Sequence, residues 1–267
     1  MSDAPVRLVK AHAFGNDFLI APALPAVWQQ NLPDLARRAC DRHEGIGADG
    51  LMLLDEHAEG AESRLWNADG SRAEVSGNGV RCAAAWLARD RQVAAGTTLV
   101  IGTAAGPKRL ELKGSAARRY TFRADMGPPT DLSRQTLQVD GERVPVVVLR
   151  VGNPQCVVLG DASEERLHTL GRALATHPHF PEGTNVELAV VEAPDRVRIL
   201  IWERGVGPTR ASGTGACAAA VAAAAFGGAK RVVDVVAPGG TQRVEWDTDT
   251  IHLTGWAEVV GVVEWWP

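Results

Sequence analysis

The sequence predicts an α+β protein made of two copies of one unit, each a helix enclosed by sheet. Three observations predict it. First, Trp66-Asn67-Ala68-Asp69-Gly70 followed by Ser76-Gly77-Asn78-Gly79 recurs as Trp202-Glu203-Arg204-Gly205 followed by Ser212-Gly213-Thr214-Gly215. Trp66 and Trp202 are 136 residues apart, as are Ser76 and Ser212, in a chain of 267 residues. Gly15-Asn16 recurs 137 residues on as Gly152-Asn153. Second, each Ser-Gly-X-Gly segment precedes an Ala-rich stretch free of Gly and Pro, which is a helix signal. Third, most of the remainder alternates apolar and polar residues in short runs bounded by Gly, Pro and Asp, the pattern of strands and turns.

In chain order, Val6 to Ala11 reads as a strand, turned at Gly15-Asn16. Leu35 to Arg42 has helical spacing. Gly45-Ile46-Gly47-Ala48-Asp49-Gly50 reads as a glycine-rich turn feeding the buried strand Leu51 to Leu54; it lacks the order of a dinucleotide-binding fingerprint. Val80 to Arg89 is the first Ala-rich helix. The second, Ala216 to Phe226, stops at Gly227-Gly228. Small side chains nearly all round this helix require close packing on every side. Thr98–Gly102, Lys108–Leu112, Val144–Val151, Val186–Val191, Val197–Trp202 and Arg231–Val236 read as strands. Met126-Gly127-Pro128-Pro129 reads as the join between the copies.

Bulk composition narrows the function. Hydrophobic residues make up 45% and charged residues 22%, the balance of a globular chain. A net charge of -4 gives no electrostatic ground for nucleic acid or an anionic membrane. The longest apolar run, Ala216 to Phe226, is 11 residues, too short to span a bilayer, and the start of the chain lacks the apolar core of a signal peptide. Four cysteines without a CxxC pair argue against a disulfide framework or zinc site and suit the reducing cytoplasm.

The repeated segments carry the chemistry. The first N–H groups of a helix lack internal partners and carry partial positive charge, so two such starts would hold a carboxylate without an arginine. Taken singly, Ser76 or Ser212 is an N-cap. Taken as a pair in register, with polar residues at one offset before each, they point to a ligand site presenting matching groups to two faces. Those polar residues are Asn67 in one copy and Glu203-Arg204 in the other. Arg204 can grip a carboxylate with two hydrogen bonds or make a surface ion pair. Asn16, Asn153 and Asn185 lie in turn-like contexts that also explain an asparagine.

His12-Ala13-Phe14-Gly15-Asn16-Asp17-Phe18, Gly45 to Gly50, Asn67-Ala68-Asp69-Gly70, Gly77-Asn78-Gly79, Gly152-Asn153-Pro154, Asn185, Glu203-Arg204-Gly205 and Gly213-Thr214-Gly215-Ala216-Cys217 together resemble the ordered motifs of the diaminopimelate epimerase family. The resemblance covers nearly the whole chain. It implies two pseudo-symmetric domains, each a barrel-like, mostly antiparallel sheet around a central helix, spanning 1–124 plus 253–267 and 125–252. It implies a cytoplasmic isomerase of amino-acid and lysine biosynthesis that uses neither metal nor pyridoxal phosphate. Its partner would be a small amino-acid substrate, without nucleic acid or membrane, and a homodimer is left open. Asn67, Asn153, Asn185 and Arg204 would bind the far end of the substrate. Gly77-Asn78 and Gly213-Thr214 would hold the reacting carboxylate, and Asn16 would line the same cleft.

The resemblance also marks departures. The family has cysteine at both serine positions, one thiol removing the α-proton and the other returning it from the opposite face. Here Ser76 and Ser212 stand there, with Glu203 retained as the acid/base partner and Gln155 in place of the family's histidine. A thiol titrates near ~8.5, whereas a hydroxyl is a far weaker acid. Cys82 and Cys217 lie inside the helices and do not substitute. Three readings stay open: serine-based epimerisation assisted by Glu203; a proton-shift isomerisation of the phenazine-biosynthesis type, with Asp49 the candidate carboxylate; or a binding homologue or Cys-to-Ser variant with impaired turnover.

Overall fold

The computed structural model describes residues 5–73 and 76–266. Contacts group them into two units, Met1–Ala124 with Trp256–Pro267, and Asp125–Gly255.

Unit 1 opens with the hairpin β1 (Val6–Ala13) and β2 (Asn16–Ala21), joined by Phe14 and Gly15. Both loop residues have positive φ, 56° and 89°, the turn whose twist matches a hairpin and which glycine makes inexpensive. A short 3-10 turn (Ala26–Gln29) precedes α1 (Leu32–Cys40). The helix begins earlier than its spacing suggested because Asn31 caps it, accepting from the Asp34 N–H, and Pro33 suits its first turn. Then follow β3 (Gly50–His57), β4 (Gly60–Asn67) and β5 (Arg72–Ala73), the helix α2 (Gly77–Asp90), and β6 (Thr98–Gly102), β7 (Lys108–Ala116) and β8 (Arg119–Asp125).

Unit 2 repeats the plan with β9 (Thr130–Val139), β10 (Glu142–Val151) and β11 (Asn153–Leu159). A helical segment follows, α3 (Glu164–Arg166), a π turn (Leu167–Gly171) and α4 (Arg172–Ala175). Next come β12 (Asn185–Ala193), β13 (Arg196–Glu203), β14 (Gly207–Thr209), α5 (Gly213–Phe226), β15 (Val232–Ala237) and β16 (Gly240–Trp246). The last strand, β17 (Ile251–Trp265), pairs with β16 through residues 251–254 and with β1 through residues 258–265.

The pairing pattern is the same in both units. β1/β2, β2/β3, β3/β4, β4/β6 and β6/β7 alternate antiparallel, parallel, antiparallel, parallel, antiparallel. β10/β11, β11/β12, β12/β13, β13/β15 and β15/β16 follow the identical sequence. In unit 1 the strands run β17-β1-β2-β3-β4-β6-β7-β8, and β8 pairs back onto β17, closing a barrel. Closure removes sheet edges and leaves an interior that must be filled.

α2 and α5 fill those interiors. α5 touches β10, β11, β12, β13, β15 and β16, and its residues from Ala216 to Ala223 are buried on every face. An all-round burial of this kind needs small side chains, hence the Ala run. Both helices start three residues before the Ala-rich stretches, at Gly77 and Gly213, since Ser76 and Ser212 are the caps and the intervening glycines are helical. A second apolar layer in unit 2 packs outside the sheet, where Leu167, Leu170, Leu174 and Phe180 meet Val186 and Leu188.

Candidate active site

In unit 1 the expected residues form one connected polar chain. Arg81 is buried in the second turn of α2 and donates to Asn78 Oδ1 at 2.5 Å. Asn78 Nδ2 donates to Asn16 Oδ1 at 3.2 Å, and Asn16 Nδ2 donates to Asp49 Oδ2 at 2.7 Å. Since a guanidinium only donates, each amide downstream has its orientation set by the one before it. Asp49 also accepts from the Asp17 N–H at 3.0 Å and from Arg42 at 2.8 Å. Asn67 lies beside this cluster: it pairs with Gly50 across β3 and β4, and the Ala68 N–H reaches the Asp49 carbonyl at 3.0 Å. Its side chain donates to Ser71 Oγ at 3.0 Å, tying the turn into β5.

Ser76 caps α2 by accepting from the Gly79 N–H at 3.1 Å. A Cβ placed on Gly77 would meet nothing within 4 Å. The backbone there is open to a ligand, and the glycine is not required by packing.

Asp17 shapes the floor of this cluster. Burial would raise its carboxyl, but hydrogen bonds from Arg42 and Lys10 and the charge of Lys10 outweigh that and bring it down to about 2.

Unit 2 holds its residues in a parallel arrangement. Gln155 is fully buried and donates to Asn153 Oδ1 at 2.6 Å. It neighbours Asn185 across the parallel pair β11/β12. Asn185 Oδ1 accepts from the Arg204 N–H at 2.9 Å. The Arg204 guanidinium donates to the Glu182 carbonyl at 2.9 Å and makes no ion pair among the described residues. Its stem lies against Gly183, whose φ of +72° and lack of Cβ make the room. Glu203 ends β13, opposite Gly207.

Ser212 caps α5 by accepting from the Gly215 N–H at 3.2 Å; its Oγ lies 3.5 Å from Thr214 Oγ1. Its carbonyl accepts from the buried Gln242 at 3.3 Å. Gly213 and Thr214 open the helix, where backbone N–H groups have no internal acceptor. Cys40, Cys82, Cys156 and Cys217 are all buried, and none forms a disulfide among the described residues. Burial pushes the Cys82 and Cys156 thiols well up, and the Cys40 thiol to about 12. Cys40, Cys82 and Cys156 are therefore not thiolate sources near neutral pH.

Two groups escaped the sequence reading. Arg81 anchors the unit 1 chain. Glu187, with both carboxyl oxygens buried and without a hydrogen-bond partner among the described residues, lies in β12 two residues beyond Asn185 and on the same face. A single glutamate inside the apolar run Val186 to Val191 was the available signal. Burial, and then the Glu203 carboxylate, push the Glu187 carboxyl well above the usual range.

Comparison with known proteins gives this geometry its context. The family model described as diaminopimelate epimerase matches residues 8–132 and 147–260. The diaminopimelate epimerase of Desulforudis audaxviator is 41% identical over 97% of this chain and 99% of its own. Among solved structures, a probable proline racemase from Agrobacterium radiobacter K84 superposes with a TM-score of 0.72 at 16% identity, covering 96% of this chain and 92% of the other. A phenazine biosynthesis protein of Bacillus anthracis gives a TM-score of 0.71 at 14% identity over 99% of both chains. These two show the fold alone. The near full-length match of sequence and family model shows that this chain belongs to the diaminopimelate epimerase family.

Proposed function

We propose that this protein is a cofactor-independent amino-acid epimerase acting at the α-carbon of diaminopimelate, or of a close analogue with a second amino-acid end. The observation that carries the reading is the state of the recognition residues. Asn16, Asn67, Asn78, Asn153, Asn185 and Arg204 are all present and held by directional hydrogen bonds. Arg204 keeps a guanidinium without a carboxylate partner among the described residues, which suits a carboxylate of the ligand. Asn67, Asn153, Asn185 and Arg204 would take the far end; Gly77-Asn78 and Gly213-Thr214 would take the reacting carboxylate at the two helix starts.

Ser76 and Ser212 are then the acid/base pair, with Glu203 assisting. Each Oγ already accepts a backbone N–H, which lowers its basicity and leaves its own proton available to donate. Serine in this role makes turnover slow, since general acid/base catalysis is most effective when the group's pKa lies near the operating pH. The proton-shift reading loses support from Asp49, whose carboxylate is bound to Asn16, Arg42 and the Asp17 N–H.

The test is α-proton exchange in heavy water over a panel of amino acids. Exchange confined to diaminopimelate-like substrates supports the proposal. Exchange only in an unsaturated substrate supports a proton-shift enzyme, and binding without exchange a binding homologue.

A further inference from the structure

Unit 2 contains a carboxyl group that the chemistry above leaves unused. Glu187, Asn185 and Ala189 share one face of β12, and Ala189 belongs to the core around α5, so Glu187 faces that helix. Its side chain is fully buried, and neither Oε1 nor Oε2 has a hydrogen-bond partner among the described residues. A buried carboxyl with both oxygens unsatisfied opposes folding and calls for a role. Its position supplies one. A Cβ placed on Gly215 would lie 2.5 Å from Glu187 Oε1 and 3.2 Å from Ser212 Cβ, so carboxyl and serine side chain crowd the same point at the start of α5.

Unit 1 differs at the matching point. A Cβ placed on Gly79 would lie 3.3 Å from Ser76 Cβ and 2.8 Å from Met52 Cε. Met52 occupies in β3 the place of Glu187 in β12, two residues after Gly50 as Glu187 follows Asn185. A thioether can neither give nor take a proton. The two serines thus share a backbone setting and differ in what stands behind them.

We propose that Glu187 is the proton partner of Ser212 and that proton transfer at the Ser212 face is faster than at the Ser76 face. The proposal deepens the epimerase reading and rests on it. Glu187 acts through Ser212 and does not touch the substrate. When Ser212 gives its hydroxyl proton to the α-carbanion, that O–H bond breaks and the C–H bond forms. The carboxyl proton of Glu187 then passes to Oγ, leaving Glu187 a carboxylate; the reverse order removes an α-proton. Among the described residues Glu187 has no hydrogen bond to give up, so rotating its side chain toward Oγ breaks none of them. The other titratable groups bearing on it are Glu203 at the end of β13 and the Cys156 thiol on β11.

The test has two arms. In heavy water, the α-proton presented to Ser212 should exchange faster than the centre inverts. Glu187→Gln should slow that exchange roughly 100-fold or more, the usual scale of a general acid/base contribution. Ligand affinity should stay unchanged, and Glu187→Asp should restore part of the rate. Equal rates in parent and Glu187→Gln, or equal losses at both α-proton faces, would overturn the proposal. The second arm needs no substrate. The thiol of a Ser212→Cys variant, followed by thiolate absorbance against pH, should shift its midpoint by about one pH unit or more when Glu187→Gln is added, as interacting sites do. The thiol of Ser76→Cys should not respond. A Ser212→Cys midpoint indifferent to Glu187→Gln would overturn the pairing. If the parent exchanges no amino acid, the epimerase reading fails, and the thiol titration still decides whether Glu187 and Ser212 are coupled.

Discussion

Ser76 and Ser212 show how much one atom changes at residue scale. Each caps its helix as a cysteine could not do equally well, since sulfur is a weak acceptor. Each also gives up the acidity on which proton transfer near neutral pH depends. On the proposed reading, recognition and chemistry therefore belong to different residues. On the recognition side, exposed Arg204 would be covered by a bound carboxylate, so Arg204→Ala should weaken binding of diaminopimelate by roughly 2–5 kcal/mol, the usual cost of truncating one partner of a charge pair buried in a complex. Calorimetric titration measures it, and an unchanged affinity would remove Arg204 from the site. Beneath Asn16, Asp17 makes a prediction about acid stability. Its carboxyl is held at about 2 in the folded chain and titrates near ~3.9 when unfolded. Its contribution of about 2 kcal/mol is therefore present above pH ~4 and lost as pH falls toward ~2. Asp17→Asn should flatten the fall in the urea midpoint over that window. Glu187 has the opposite sign: its raised carboxyl costs stability as pH rises from the unfolded value through the folded one. Glu187→Gln should accordingly fold at least as stably as the parent at pH 8.

At the scale of elements, the sequence was most legible where one physical constraint dominates. Thr98–Gly102 is a strand with the expected bounds. The Ala run of α5 followed from burial on every side. The starts of α2 and α5 were misjudged by three residues because glycine has poor helix propensity, and here serine capping overrides it. β9, with many exposed residues, and the broken helical segment from Glu164 to Ala175, whose middle is a π turn, carry weak periodicity and were not legible. Among the site residues, the asparagines and Arg204 stood out through the repeated motifs. Arg81 and Glu187 did not, because a buried charge looks like a surface charge until its neighbours are known. The packing of α5 is directly testable. Ala219 is fully enclosed, so Ala219→Leu should destabilise the protein by about 1–3 kcal/mol through overpacking. Asn31→Ala, which removes only the cap of α1, should cost about 1 kcal/mol. Urea denaturation measures both, and an unchanged midpoint for Ala219→Leu would mean α5 is less tightly enclosed than described.

At the scale of the whole molecule, one strand-pairing scheme is used twice, each copy enclosing a serine-capped helix, and in unit 1 the start of that helix meets the oriented amide of Asn16. That duplication was visible as a constant offset in the chain before any element was assigned. The central claim is that Ser76 and Ser212 occupy the acid/base positions of an otherwise intact epimerase site. The measurement that tests it most directly is α-proton exchange from diaminopimelate in heavy water by the parent, Ser76→Cys, Ser212→Cys and the double variant. The account predicts slow exchange in the parent and a large, strongly non-additive gain when both thiols are present, since inversion needs a base on one face and an acid on the other. A double variant as inert as the parent would contradict it.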